Sequence, residues 1–261
     1  MLGLRIATAV LGGPVVLAAA WRGGMALAAF CLAVSAAGVE EIGRMASLRG
    51  VRVCTPLVHA FGAACVGAAY WGETAIWRCL PAIAVLAGFS LPVIGHRRFR
   101  VPDGLATQAT ALYVPYLAAH LLLVRGMDGG SGLALFTLGV TWITDTSAYL
   151  VGRRLGKHKM CPALSPAKSW EGAVAGAVFA TALGALCGPA LGEGVGRAAA
   201  GALGVSIAAQ VGDLFESAVK RWTGVKDSGR IIPGHGGVLD RFDSLLFAAP
   251  AVYWLARFAG R

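Results

Sequence analysis

Residues 75–94 read AIWRCLPAIAVLAGFSLPVI, with a single formal charge, Arg78. A helix needs about 20 consecutive apolar residues to cross the hydrocarbon core of a bilayer, so this stretch has the length of one crossing. Eight others share its character: about Leu4–Ala20, Met25–Val39, Pro56–Trp71, Ala106–Val124, Leu133–Val151, Gly172–Leu191, Ala198–Val219 and Ser244–Phe258. The 261-residue chain is 57% apolar and 14% charged, with a mean hydropathy of +0.68. A soluble domain is nearer one-quarter charged. These values exclude disorder, coiled coil and collagen and disfavour a soluble enzyme. The expected fold class is an all-α polytopic integral membrane protein with about nine transmembrane helices. It divides into residues 1–124, with about five helices, and 125–261, with about four helices and two basic loops.

The connections indicate an orientation. With the N-terminus in the cytoplasm, 17 of the 23 Lys and Arg fall on the inner side and 6 on the outer, as the positive-inside rule requires. The first apolar run imitates a signal peptide, but Arg5 alone charges its n-region, which argues against cleavage. Six cysteines form no CxxC pair and lie mostly in apolar runs, so they read as small buried hydrophobes. A net charge of +10 suits anionic lipid or a phosphorylated substrate. Nucleic acid is not an expected partner of a membrane chain.

The acids are also uneven. Of thirteen, only Glu73, Asp128 and Glu193 fall on the outer side. Asp145, Glu171, Asp213, Glu216, Asp240 and Asp243 gather at the cytoplasmic ends of the last four helices, while the first five carry nothing comparable. Ionisable groups at membrane depth are costly and usually paired, solvated or functional. A catalytic cavity facing the cytoplasm is expected there. Small residues at Gly172, Gly176, Ala180, Gly184 and Gly188 allow close helix packing, within one bundle or in a homodimer.

Two segments carry chemistry. In the first, Gly152-Arg-Arg-Leu-Gly156-Lys157-His158 superficially suggests a phosphate loop, but its glycine spacing, the residue after lysine and the preceding membrane helix all exclude a Walker A motif. Ser165-Pro166 reads as an N-cap followed by proline at the first helical position, with Lys168 one turn in. Such a helix start would present N–H groups and positive charge to an anion. In the second segment, Asp213, Glu216, Ser217 and Lys220 share one helical face, and Asp240 and Asp243 lie three apart on the next helix. Carboxylates from two helix ends repel unless a cation joins them, and hard oxygen ligands favour magnesium. Lys220, Arg221, Lys226, Arg230 and Arg241 surround them. Carboxylates with cations suit phosphoryl or nucleotidyl transfer, and Pro233-Gly-His235-Gly-Gly237 lets backbone approach a ligand.

The pattern Ser217-x2-Lys220-Arg221-x4-Lys226-Asp227-x-Gly229-x2-Ile232-Pro233-x-His235-Gly236-Gly237-x2-Asp240-Arg241-x-Asp243 resembles the 27-residue signature of phosphatidate cytidylyltransferases, the CDP-diacylglycerol synthases. Asp145 through Tyr149 and Ser165-Pro-x-Lys168-Ser-x-Glu171-Gly172 are similar to that family's upstream motif. The first five helices resemble it only in hydropathy. The resemblance implies a polytopic helical fold and the reaction CTP + phosphatidate → CDP-diacylglycerol + pyrophosphate, in phospholipid biosynthesis. It also implies a Mg²⁺ requirement, with room for a second cation. The family's metal-binding acids would map to Asp213, Asp240 and Asp243, with Lys220 beside them in the catalytic set. Asp145, Lys168, Ser217, Arg221, Lys226, His235 and Arg241 would bind substrate and its phosphates. A bacterial-type inner membrane is the expected location. A CTP-dependent lipid kinase and a transporter of an anionic metabolite are the competing readings.

Overall fold

The structure is a computed structural model describing residues 2–72, 74–232 and 236–260, with side-chain environments from residue 12 onward. Each expected apolar stretch lies on a helix. In order these are α1 (Leu2–Arg22), α2 (Gly24–Ser47), α3 (Thr55–Trp71), α4 (Thr74–Ile94), a composite rod over residues 101–125, α7 (Gly130–Leu155), α8 (Trp170–Cys187), α9 (Val195–Thr223) and α10 (Leu239–Phe258). The composite rod is α5 (Val101–Ala111), a π-helical turn (Leu112–Tyr116) and α6 (Leu117–Arg125). Pro115 sits inside that turn. Proline has no N–H for the carbonyl four residues back and its ring crowds that carbonyl, so the helix widens there instead of breaking.

Among the described residues five rods are long and apolar enough to cross a membrane: α2, α4, the composite rod, α8 and α9. At 17 residues, α3 spans roughly 26 Å at the helical rise, short of the core. α7 and α10 carry Asp145 and the Asp240/Asp243 pair, which lower their apolar content. The exterior is apolar: Ile94 is 83% exposed, Leu186 79% and Phe89 55%. Contiguous exposed hydrophobes of this size face lipid, not water. The chain is an integral membrane protein.

Side-chain hydrogen bonds fix which connections share an end. At one end, Arg49 Nε donates to the Trp222 carbonyl, tying the α2–α3 connection to the end of α9. Arg100, before α5, donates to Gly50, and Arg221 donates to Leu164 at 3.1 Å. At the other end, Arg125 donates to Ala20 at 3.2 Å and Trp21 at 3.1 Å, joining the ends of α6 and α1. These bonds gather the connections after α2, α4, α7 and α9 at one end and the ends of α1 and α6 at the other.

α7, α8 and α9 pack in sequence, and α10 closes on α9, α6 and α7. The small-residue stripe of α8 serves this packing. A Cβ on Gly172 would lie 2.6 Å from the Ala148 carbonyl, and one on Gly184 would meet Ala198 and Ala202 of α9. Where backbones approach this closely, hydroxyls link helices: Thr144 Oγ1 donates to Ser206 Oγ at 2.9 Å, both buried. Such bonds contribute about 0.6 kcal/mol on average in a membrane.

One local expectation is corrected. No helix begins at Ser165-Pro166. Ser165–Ser169 is a strand, β2, paired antiparallel with β1 (Lys159–Cys161). A residue before proline is pushed toward extended backbone, and a two-stranded ribbon tolerates proline at its edge. The cap is Ser169, whose Oγ accepts from Gly172 N at 3.2 Å. Lys168 is therefore on the hairpin, not inside a helix.

Candidate active site

The hairpin, α7, α9 and α10 meet at the end that carries the basic connections. Asp213 and Glu216 lie one turn apart on α9, and Asp243 lies one turn into α10. One oxygen from each comes within 4.8 Å of the others. Glu216 is fully buried, Asp243 is buried, and Asp213 faces the opening. Lys168 reaches from β2 to Asp213 Oδ1 at 2.8 Å. Lys220, one turn beyond Glu216, pairs with it and contacts Asp240 Oδ1 at 2.6 Å. Asp145 of α7 accepts from Ser244 Oγ at 3.2 Å and is within electrostatic reach of Asp213.

Asp240 does not join the cluster with Asp213 and Asp243. Its Oδ2 accepts from Ser228 N at 2.9 Å, Ser228 Oγ at 2.9 Å and Gly237 N at 2.8 Å, while Oδ1 holds Lys220. Asp240 therefore organises the loop from Ser228 to Gly237 and orients Lys220. The three carboxylates whose oxygens approach one another are those of Asp213, Glu216 and Asp243. Spacing alone could not distinguish Glu216 from Asp240, because Asp213/Glu216 and Asp240/Asp243 are both three apart.

The remaining expected residues separate by position. Ser217 is buried beside Glu216 on α9. Arg221 is committed to carbonyls of Leu164 and Val225, so it fastens the end of α9 to the β1–β2 turn. Lys226 and Arg241 are exposed at the same end. His235 lies outside the described residues.

A cavity of about 510 Å³ opens beside the carboxylates, lined by Asp145, Tyr149, Arg153, Lys159, Lys168 and Asp213 among others. Its walls come from α7, the hairpin, α8 and α9. The hairpin is clamped at its base by Glu171, which accepts from His158 N at 3.1 Å and contacts His158 Nδ1 at 2.6 Å. Lys159, Arg153 and Lys168 line the cavity together with Asp145 and Asp213, and Lys168 is paired directly with Asp213. A lining of mixed charge suits a substrate whose phosphates meet the cations while a metal ion sits among the acids.

Sequence reasoning missed one contributor. Glu41 of α2 is completely buried. Its carboxylate accepts from Val238 N at 2.8 Å, Leu239 N at 2.8 Å and Ser228 Oγ at 3.1 Å. It thereby caps the N-terminus of α10 from a helix nearly 200 positions away, satisfying N–H groups that the helix cannot bond itself. Among the described residues no other side chain caps α10. The signal available in the sequence was an acid one residue from Ile42 on an apolar helix, which demands a partner.

The family model described as the cytidylyltransferase family matches residues 3–259. The chain is 36% identical to the phosphatidate cytidylyltransferase of Brucella abortus biovar 1 (strain 9-941), covering 95% of this chain and 91% of that protein. It is 32% identical to the phosphatidate cytidylyltransferase of Staphylococcus aureus (strain COL), covering 95% of this chain and 96% of that protein. The similarity extends through the first five helices, where the sequence pattern alone resembled the family only in hydropathy. A match of this extent leaves no region of either half unaccounted for, and the chain belongs to the cytidylyltransferase family.

Proposed function

We propose that the protein is a phosphatidate cytidylyltransferase, transferring the cytidylyl group of CTP to phosphatidate to give CDP-diacylglycerol and pyrophosphate. The observation that carries this reading is the Asp213–Glu216–Asp243 cluster, paired with Lys168 and Lys220, beside a cavity inside a chain with a lipid-facing exterior. A phosphate oxygen of phosphatidate forms a bond to the α-phosphorus of CTP as the bond to the β-phosphate bridging oxygen breaks. The nucleophile is already anionic near neutral pH, so no general base is needed. Lys168, Lys159 and Arg153 hold the triphosphate and offset the charge moving onto pyrophosphate. Lys220, fixed by Glu216 and Asp240, adds a second ammonium group beside the carboxylates.

The donor set fits a divalent cation. Asp145, Asp213, Glu216, Asp240 and Asp243 put five carboxylates in one neighbourhood, and two ammonium groups contact them among the described residues. All-oxygen donors favour Mg²⁺, which Asp213, Glu216 and Asp243 would hold. Bound there, it would supply positive charge for phosphate oxygens in a water-poor site.

The protein is read as residing in a bacterial-type inner membrane with the N-terminus and the site facing the cytoplasm. The 17-to-6 distribution of Lys and Arg supports this, and so does the tying together of the basic connections at the site's end. Neither competing reading has a supporting observation. The site lies at one end of the helices, whereas transporters commonly bind near the midplane, and the family is not one of kinases.

The test is incubation of purified protein with Mg²⁺, phosphatidate and CTP labelled at the α- or γ-phosphorus. The α-label and cytosine are expected in the lipid, with γ-label in pyrophosphate. γ-label in lipid without cytosine contradicts the reading in favour of a kinase. No label in lipid from a folded, Mg²⁺-binding preparation contradicts both.

A further inference from the structure

Tyr113 lies in the π-helical turn of the N-terminal half and is 8% exposed. Among the described residues its hydroxyl has no hydrogen-bond partner. Its ring packs edge-on to Phe215 at a centroid distance of 4.8 Å and near Phe247 at 6.2 Å. Those rings belong to the metal-site helices: Phe215 lies between Asp213 and Glu216 on α9, and Phe247 is one turn beyond Asp243 on α10. The phenol is within electrostatic reach of Asp243, Glu216, Asp213 and Asp240, yet it donates to none of them.

A buried hydroxyl without a partner destabilises a fold, and native proteins retain one mainly where a ligand, ion or water completes it. Phenylalanine would fill the same aromatic niche without that penalty. π-Helical turns occur frequently at functional sites, and here the turn sets the register of Tyr113 against α9 and α10. A phenol is also a neutral donor, so it can bind an anionic oxygen without adding charge among the acids.

We propose that Tyr113 is a substrate-binding residue, its O–H donating a hydrogen bond to a phosphate oxygen held in the Asp213–Glu216–Asp243 centre. This rests on the phosphate-transfer reading above. The oxygen belongs either to the lipid phosphate or to the nucleotide's phosphates, and binding separates the two.

The test uses full-length protein in detergent with Tyr113→Phe. Three quantities are measured: the melting temperature without ligand, the affinity for Mg²⁺–pyrophosphate, and the affinity for short-chain phosphatidate with Mg²⁺. The variant is expected to melt at or above the wild-type temperature and to lose at least about tenfold in one titration, the loss expected of a hydrogen bond to a charged group. Turnover should fall in parallel. Loss in the pyrophosphate titration identifies the nucleotide side, and loss in the phosphatidate titration the lipid side. Unchanged affinity in both overturns the proposal. So does a variant that melts well below wild type, because the hydroxyl would then be a structural partner. Wild-type protein that binds neither probe overturns the proposal together with the metal centre. Binding by wild type without CDP-lipid formation contradicts only the assigned reaction, and the comparison with Tyr113→Phe still decides the role of the hydroxyl.

Discussion

Residues 1–124 and 125–261 contribute unequally visible parts to one site. The second region holds the Ser217–Asp243 signature, the hairpin and the carboxylate cluster. The first holds no motif, yet Glu41 caps α10, Arg49 is tied to the end of α9, and Tyr113 packs between the two acid-bearing helices. The carboxylates are therefore concentrated in one region, and the N-terminus of its last helix is capped by the other. Substitutions at the carboxylate cluster should act mainly on rate, and substitutions at Glu41 and Arg49, which cap and tie the second region, mainly on stability or loop order, with Tyr113 the one first-region residue placed on the substrate.

The largest effect is expected at the cluster. Asp243→Asn and Asp213→Asn should each reduce turnover by at least ~10²-fold while the protein stays folded in detergent, because a lost ligand removes several kcal/mol of charge stabilisation. Product assays with CTP and phosphatidate, alongside thermal melts, would show it. Near-normal rates would break the comparison at its stronger side. Excess EDTA should likewise abolish activity, and added Mg²⁺ should restore it.

A smaller, differently distributed effect is expected at Glu41. Removing its carboxylate in Glu41→Ala leaves the N–H groups of Val238 and Leu239 without their acceptor, while the Ser228 hydroxyl keeps its bond to Asp240. The cap and desolvation terms together suggest a loss of about 2–4 kcal/mol. Thermal melts should fall accordingly. An unchanged melt would show that the first region does not hold the signature loop.

The smallest effect belongs to Arg221, part of the resemblance to the family signature. Its hydrogen bonds go to the carbonyls of Leu164 and Val225 in exposed positions, so Arg221→Ala should lower activity by less than about tenfold. A loss as large as that of Asp243→Asn would move Arg221 from the frame of the site into its chemistry.

The helices were legible because most of the apolar stretches approach the length of a crossing and carry few charges. Their shared ends were legible because arginines mark alternate connections. The hairpin was not, since Ser165-Pro166 fits both a helix start and an edge strand, and only Ser169, four residues on, decides between them. The closeness of Glu216 to Asp213 and Asp243 was not legible either, because Asp213/Glu216 and Asp240/Asp243 share one spacing. Glu41 caps α10 from 198 residues before Leu239, and long-range capping of this kind leaves no local pattern. Asp240, assigned to the metal by the family resemblance, also holds Lys220, Ser228 and Gly237, contacts that its spacing from Asp243 could not reveal.

Glu216, and not Asp240, is expected to complete the metal site with Asp213 and Asp243. Mn²⁺ titration followed by electron paramagnetic resonance, on wild type, Glu216→Gln and Asp240→Asn, tests it directly. The expected result is a loss of at least about tenfold in affinity for Glu216→Gln, with Asp240→Asn staying within about threefold of wild type. Strong loss in Asp240→Asn with wild-type affinity in Glu216→Gln would contradict the claim and restore the ligand set suggested by the sequence.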